Sequence, residues 1–228
     1  EVFPVLNAIF DKIAGGSPYK SPTDMGVNMA GSCIIDDEAV CDASKQEIIR
    51  RYYAARCGFR QGFVDENDVY KIELLMNQAG ACIEDRSVIA CALKKAEATG
   101  MPAAAIELPD GRVVSGKTSA LLGASAAALL NALKVLGGIQ KDIHLISPII
   151  IEPIQNLKTK HLGKHNPRLH TDEILVALSI CAATNPTAEL AMAQLPKLRG
   201  CEAHSTVILS QVDSTTFRKL GVNLTCEP

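Results

Sequence analysis

The residues best suited to chemistry in this 228-residue chain gather between Lys158 and His170. Lys158, Lys160, His161, Lys164, His165, Arg168 and His170 occur there without one acidic residue between them. An apolar helical pattern opens directly afterwards at Thr171. Cationic side chains beside the free N–H groups of a helix N-terminus suit a phosphate or carboxylate. Lys164, Arg168 and Thr171 are therefore the expected anion ligands. His170 and His204 are the candidate catalytic residues, because imidazole exchanges protons near neutral pH. Asp24 and Asn28, in a segment rich in small residues, are expected to add polar contacts. The plainer alternative is a basic surface loop, where such charges ordinarily lie. Asp172 and Glu173 suit the positive end of the helix dipole, and they oppose an anion if they share its space.

Two other patterns invite a functional reading and are set aside. Gly111-Arg112-Val113-Val114-Ser115-Gly116-Lys117-Thr118 fits the phosphate-loop formula letter for letter. Such a loop needs an open turn between strand and helix, whereas Arg112-Val113-Val114 reads as the return strand of a hairpin. Pro109-Asp110-Gly111 supplies the turn. Cys201 and His204 have ligand-like spacing, yet no second C-x-x-C or H-E-x-x-H pair accompanies them. On one regular strand their odd offset points them to opposite faces. No metal ligand set is predicted, and no cofactor is indicated. Asp36-Asp37-Glu38 reads as a solvated turn before a helix.

An N-terminal helical part and a following α/β part must position these residues. Helices are expected over 43–59, 66–79 and 84–98, each with apolar residues three and four apart. Gly80 and Gly100 stand where C-terminal caps belong. After Gly100 the period changes to strand (103–108), turn, strand (112–115). An apolar helix over 119–136, a strand over 143–147 and a helix near 152–160 follow. Helices over 171–183 and 186–198, a strand over 203–210, a short helix over 215–220 and a strand over 222–225 complete the pattern. Strands alternating with helices predict a layered α/β domain. The expected domains are a helical subdomain, 1–100, and an α/β domain, 101–228.

Composition excludes several classes. With 47% hydrophobic and 21% charged residues the chain is globular. Residues 1–100 carry 11 Lys/Arg against 15 Asp/Glu, a net of −4, and residues 101–228 carry 12 against 10, a net of +2. No broad basic face and only 4% aromatic residues argue against a nucleic-acid partner. The apolar run 120–136 is broken by Gly123, Ser125, Asn131 and Lys134, which predicts a buried helix and no membrane association. The eight scattered cysteines form no disulfide framework, so reduced thiols in the cytoplasm are expected. The abrupt Glu1-Val2-Phe3-Pro4 opening suggests a fragment or a processed chain.

Several long runs resemble one bacterial family. They include Phe3-Pro4-Val5-Leu6-Asn7-Ala8-Ile9-Phe10, the stretch Ser17 to Gly31, and Asn166-Pro167-Arg168-Leu169-His170-Thr171-Asp172-Glu173. Leu198 to Ser205 and the ending Leu220 to Pro228 belong with them. The chain is similar throughout to the family known as domain of unknown function 1846. The resemblance implies that it matches the C-terminal half of a longer protein, whose preceding half carries a glycine-rich, phosphate-loop-like segment. It also implies an α/β part of cytidine-deaminase-like topology. Deaminase chemistry does not carry over, since H-x-E followed by P-C-x-x-C is absent. The expected function is one lobe of a cytoplasmic enzyme that binds a small anionic or phosphorylated molecule where the two parts meet. The alternative is an oligomerisation or regulatory domain of the larger protein, and a homo-oligomer is expected.

Overall fold

A computed structural model describes residues 2–16 and 37–228. Asp24 and Asn28 lie outside the described residues. The protein is mixed α/β, and its chain divides into two compact units, residues 1–86 with Pro228, and 87–227.

In the first unit, α1 (Val2–Ala14) is followed by α2 (Asp37–Arg60), α3 (Glu66–Ala79) and a 3₁₀ turn (Ile83–Asp85). The apolar face of α2 buries Ile48, Ile49 and Tyr53, and α3 contributes Met76. Gly80 ends α3 at φ 60°, where its N–H reaches the last helical carbonyls without a Cβ penalty. Arg86 is almost wholly buried and reaches Gln46 Oε1 at 3.4 Å, while Gln46 donates to the Asp85 carbonyl at 2.6 Å.

The second unit begins with α4 (Ser87–Thr99). Val88 and Ala92 of α4 bury against Ala105 of the first strand. That strand, β1 (Ala103–Glu107), forms an antiparallel hairpin with β2 (Val113–Lys117). The expected turn chemistry is present, with Gly111 at φ 80° and Asp110 accepting from the Arg112 N–H at 3.1 Å. Lys117 of the apparent phosphate loop therefore ends a strand. The chain continues through α5 (Ala124–Leu136), α6 (Pro148–Asn156) with a π-helical turn (Leu157–His161), α7 (Thr171–Ala182) and α8 (Pro186–Met192). A 3₁₀ turn (Leu195–Leu198), β3 (Glu202–Ser205), α9 (Gln211–Leu220) and β4 (Asn223–Cys226) complete it.

The sheet order is β2-β1-β3-β4, with β1 antiparallel to both neighbours and β3 parallel to β4. Side chains alternate across β1. Ala104 and Ile106 enter the main core with Leu129 and Leu133 of α5, while Ala105 faces α4. With helices on both faces, β1 is buried over Ala103–Ile106, and its run of small and apolar residues follows from that. No helix among the described residues is long and apolar enough to cross a membrane.

The strand expected over 143–147 does not form. Leu145 and Ile146 are buried, but in an irregular segment ahead of α6. Apolar residues there report burial correctly without having a sheet edge to pair with.

Candidate functional site

The start of α7 is held by three contacts from its own approach. Asn166 Oδ1 accepts from the Arg168 N–H at 3.1 Å. Leu169 and Leu122 form an isolated parallel bridge, with Leu169 N donating to Leu121 O at 3.0 Å. The Arg168 guanidinium donates through Nε to the Ser119 carbonyl at 2.8 Å. The chain then extends at His170, at φ −80° and ψ 171°, before turning into helix.

Two carboxylates of the protein itself occupy the N–H groups at this helix start. Glu173 reaches back to accept from the His170 N–H at 2.9 Å. Asp213 Oδ1 accepts from Thr171 N at 2.8 Å and from Thr171 Oγ1 at 2.9 Å. Its other oxygen, Oδ2, lies 2.8 Å from His170 Nδ1 and accepts from Ser210 Oγ at 2.8 Å. Ser210 in turn caps α9, accepting from the Asp213 N–H at 3.2 Å. One buried carboxylate thus joins the N-termini of α7 and α9, where both helix dipoles favour negative charge.

Burial pushes the Asp213 carboxyl up. The Thr171 N–H, the His170 ring and the Ser210 hydroxyl outweigh it and hold the group below the usual carboxylate range. An ionised carboxylate only accepts hydrogen bonds, so His170 Nδ1 carries a proton and donates. In neutral imidazole the lone pair is then on Nε2, which has no hydrogen-bond partner among the described residues. The His170 side chain is 25% exposed. An oriented histidine with a carboxylate behind it and an accessible outer nitrogen is the arrangement of a general base.

The basic residues are distributed unequally. Lys158, on the π-helical turn, is buried and pairs with Glu173 Oε2 at 2.6 Å while donating to the Arg168 carbonyl at 2.6 Å. Lys164 is exposed and stands 3.8 Å from Glu173 Oε1. Burial raises the Glu173 pKa, but Lys158 and the His170 N–H outweigh that and leave it lowered. Of the predicted ligands, Thr171 is fully buried and its N–H is taken by Asp213. Lys164 and Arg168 are joined to this cluster, through Glu173 and through the backbone leading into His170.

His204 stands apart from the cluster. It is fully buried in β3, with Nδ1 2.8 Å from Thr225 Oγ1 and Nε2 3.1 Å from Glu227 Oε1. Cys201 is buried and its sulfur contacts the Lys197 carbonyl. No group of three or more metal-ligating side chains exists among the described residues. Asp213 and Ser210 do not stand out in the sequence, because the strand expected over 203–210 runs through Ser210. The signal was present: Ser210-x-x-Asp213 has the spacing of a serine cap three residues before an acid.

Residues 84–228 match the C-terminal domain of unknown function DUF1846, and residues 1–80 match its N-terminal domain. The chain belongs to the DUF1846 family. It is 56% identical over its whole length to a UPF0371 protein of Streptococcus pyogenes serotype M3, of which it covers 46%. Identity and coverage are the same for a UPF0371 protein of Corynebacterium glutamicum strain R. The chain thus spans about half the length of these relatives.

The Asp213 contacts set a pH signature. A carboxyl whose folded pKa is depressed contributes stability above its unfolded value, and loses it as pH falls through the folded one. Asp213→Asn is therefore expected to cost about 1–3 kcal/mol at pH 7. It should also flatten the fall in stability below about pH 4. Urea unfolding at stepped pH measures both, and slopes parallel to the parent protein would refute the assignment.

Proposed function

We propose that the α/β unit carries a proton-transfer site for a small anionic or phosphorylated molecule, and forms one lobe of a cytoplasmic enzyme. The observation that carries this reading is the 2.8 Å contact between Asp213 and His170 Nδ1, with His170 Nε2 left without a hydrogen-bond partner among the described residues. His170 would exchange the proton and Asp213 would orient it. Lys164 and the outer nitrogens of Arg168 would hold the anion at the rim. Because Asp213 and Glu173 already take the N–H groups beside His170, the anion would rest on side-chain charge rather than on Thr171. A cytidine-deaminase-like arrangement of the unit is supported by the hairpin β1–β2 followed by α5 and, after the inserted helices α6 to α8, by strand β3, helix α9 and strand β4. The zinc chemistry of deaminases is not part of the proposal.

A panel of phosphorylated and carboxylated metabolites, read by thermal shift on the full chain, tests the reading. A ligand at one hundred times its dissociation constant stabilises by about 2.7 kcal/mol. Arg168→Ala is expected to remove that shift, whereas His170→Gln should keep binding and abolish turnover of the ligand identified. Unchanged affinity in Arg168→Ala would sink the anion assignment. The assembly alternative draws on Val176 and Ile180, one turn apart on α7 and each 60% exposed. Light scattering on the same samples decides that alternative, since a monomer at micromolar concentration would count against it.

A further inference from the structure

The edge strand β2, the C-terminal half of α5 and the segment after it enclose a concave surface, with a cavity of about 400 Å³. Four lysines line it from four parts of the chain: Lys95 on α4, Lys117 on β2, Lys134 on α5 and Lys141 beyond α5. No carboxylate lines it, and none of the four lysines has an ion-pair partner among the described residues. That is unlike Lys71 and Lys158, which are both paired. Lys134 is half-buried and donates to the Lys141 carbonyl at 2.9 Å, which fixes its ammonium near the cavity wall. Burial lowers its pKa, with Asp142 the one acidic group acting against that. Asn131 is oriented from the same wall by its 3.0 Å bond to the Ser115 carbonyl.

Like charges that share a cavity without an ion pair repel one another, and the arrangement is relieved by an anion bearing several negative charges. Val135 and Ile139 add an apolar wall. The volume falls in the range of small-molecule sites, which combine apolar walls with a few fixed polar groups. We propose that this cavity binds a small molecule carrying two or more phosphate groups, with its phosphates on the lysines and its body against Val135 and Ile139. Lys117, Ser115 and Gly116 belong to the apparent phosphate-loop motif, yet they serve here as an edge strand and not as a loop around the phosphates.

Pyrophosphate is the probe, titrated calorimetrically into the full chain at fixed ionic strength, with sulfate as the comparison. Binding should weaken about tenfold for each of Lys117→Ala and Lys134→Gln, the expected loss of one charge-assisted contact. Lys95→Ala tests the same site from another element and does not disturb the Lys134–Lys141 bond. In Arg168→Ala the lysine-dependent pyrophosphate isotherm should persist, which separates this cavity from the His170 site. The proposal is overturned by no pyrophosphate binding at millimolar concentration, by binding that the lysine variants leave intact, or by sulfate binding equally well. An unchanged melting temperature in Lys117→Ala, an exposed position, confirms that its loss of binding is local.

Discussion

Gly116→Ala is expected to destabilise the α/β unit by about 3 kcal/mol or more, an overpacking cost at the upper end of what cores show. A methyl group built on Gly116 collides with the Ala128 amide nitrogen. It also lies 2.6 Å from the Ala127 carbonyl carbon and 2.8 Å from Ala128 Cα. All three are backbone atoms of α5, so no side chain can swing aside. The helix must lift off the sheet, and Ala126, Ala128, Leu129 and Leu133 lose their packing with it. Gly116 is not among the glycines with positive φ, so the cost is steric and not conformational. Lys117→Ala, one residue along and exposed, should change stability by no more than about 0.5 kcal/mol. Chemical denaturation of both variants gives the comparison. A loss below about 1 kcal/mol at Gly116 would mean that α5 does not press on β2 as closely as described.

The same glycine shows where sequence reading succeeds and where it stops. The phosphate-loop formula yields to the return strand that Arg112-Val113-Val114 predicts, and β2 is a strand. What the letters did not reveal is that Gly116 is required by a helix that crosses over it. That requirement is a contact between elements, and local patterns do not encode it. Helix α3 and the β1–β2 hairpin were legible because their periodicity and turn chemistry are local. The strand expected over 143–147 failed because Leu145 and Ile146 are buried without a pairing partner. In the candidate site, His170, Lys164 and Arg168 stood out by type and spacing. Asp213, 43 residues beyond His170, did not, because only the packing of α9 against α7 brings it there. At the start of α7 the N–H groups of His170 and Thr171 are taken by the chain's own carboxylates, Glu173 and Asp213.

Lys158→Met is expected to cost about 3–5 kcal/mol, the penalty for removing one partner of a buried ion pair. Lys158 has 2% of its side chain exposed and Glu173 19%, so the abandoned Glu173 charge gains little from water. Lys164 at 3.8 Å is too exposed to replace the 2.6 Å contact. Glu173→Leu should cost a similar amount, because it strands the Lys158 ammonium and also uncaps the His170 N–H. The double variant is the decisive case. With both charges gone the desolvation penalty disappears, so the combined loss should fall at least about 2 kcal/mol short of the sum of the singles. Additive losses would show that Lys158 and Glu173 act separately, contrary to the pairing. The pair also bears on chemistry, since Glu173 holds the backbone of His170 while Lys158 holds the carbonyl of Arg168. Loosening it should therefore disturb the His170–Asp213 geometry even in protein that remains folded. The sign of that coupling is fixed: any turnover assigned to His170 must fall in Lys158→Met by more than the unfolded fraction explains.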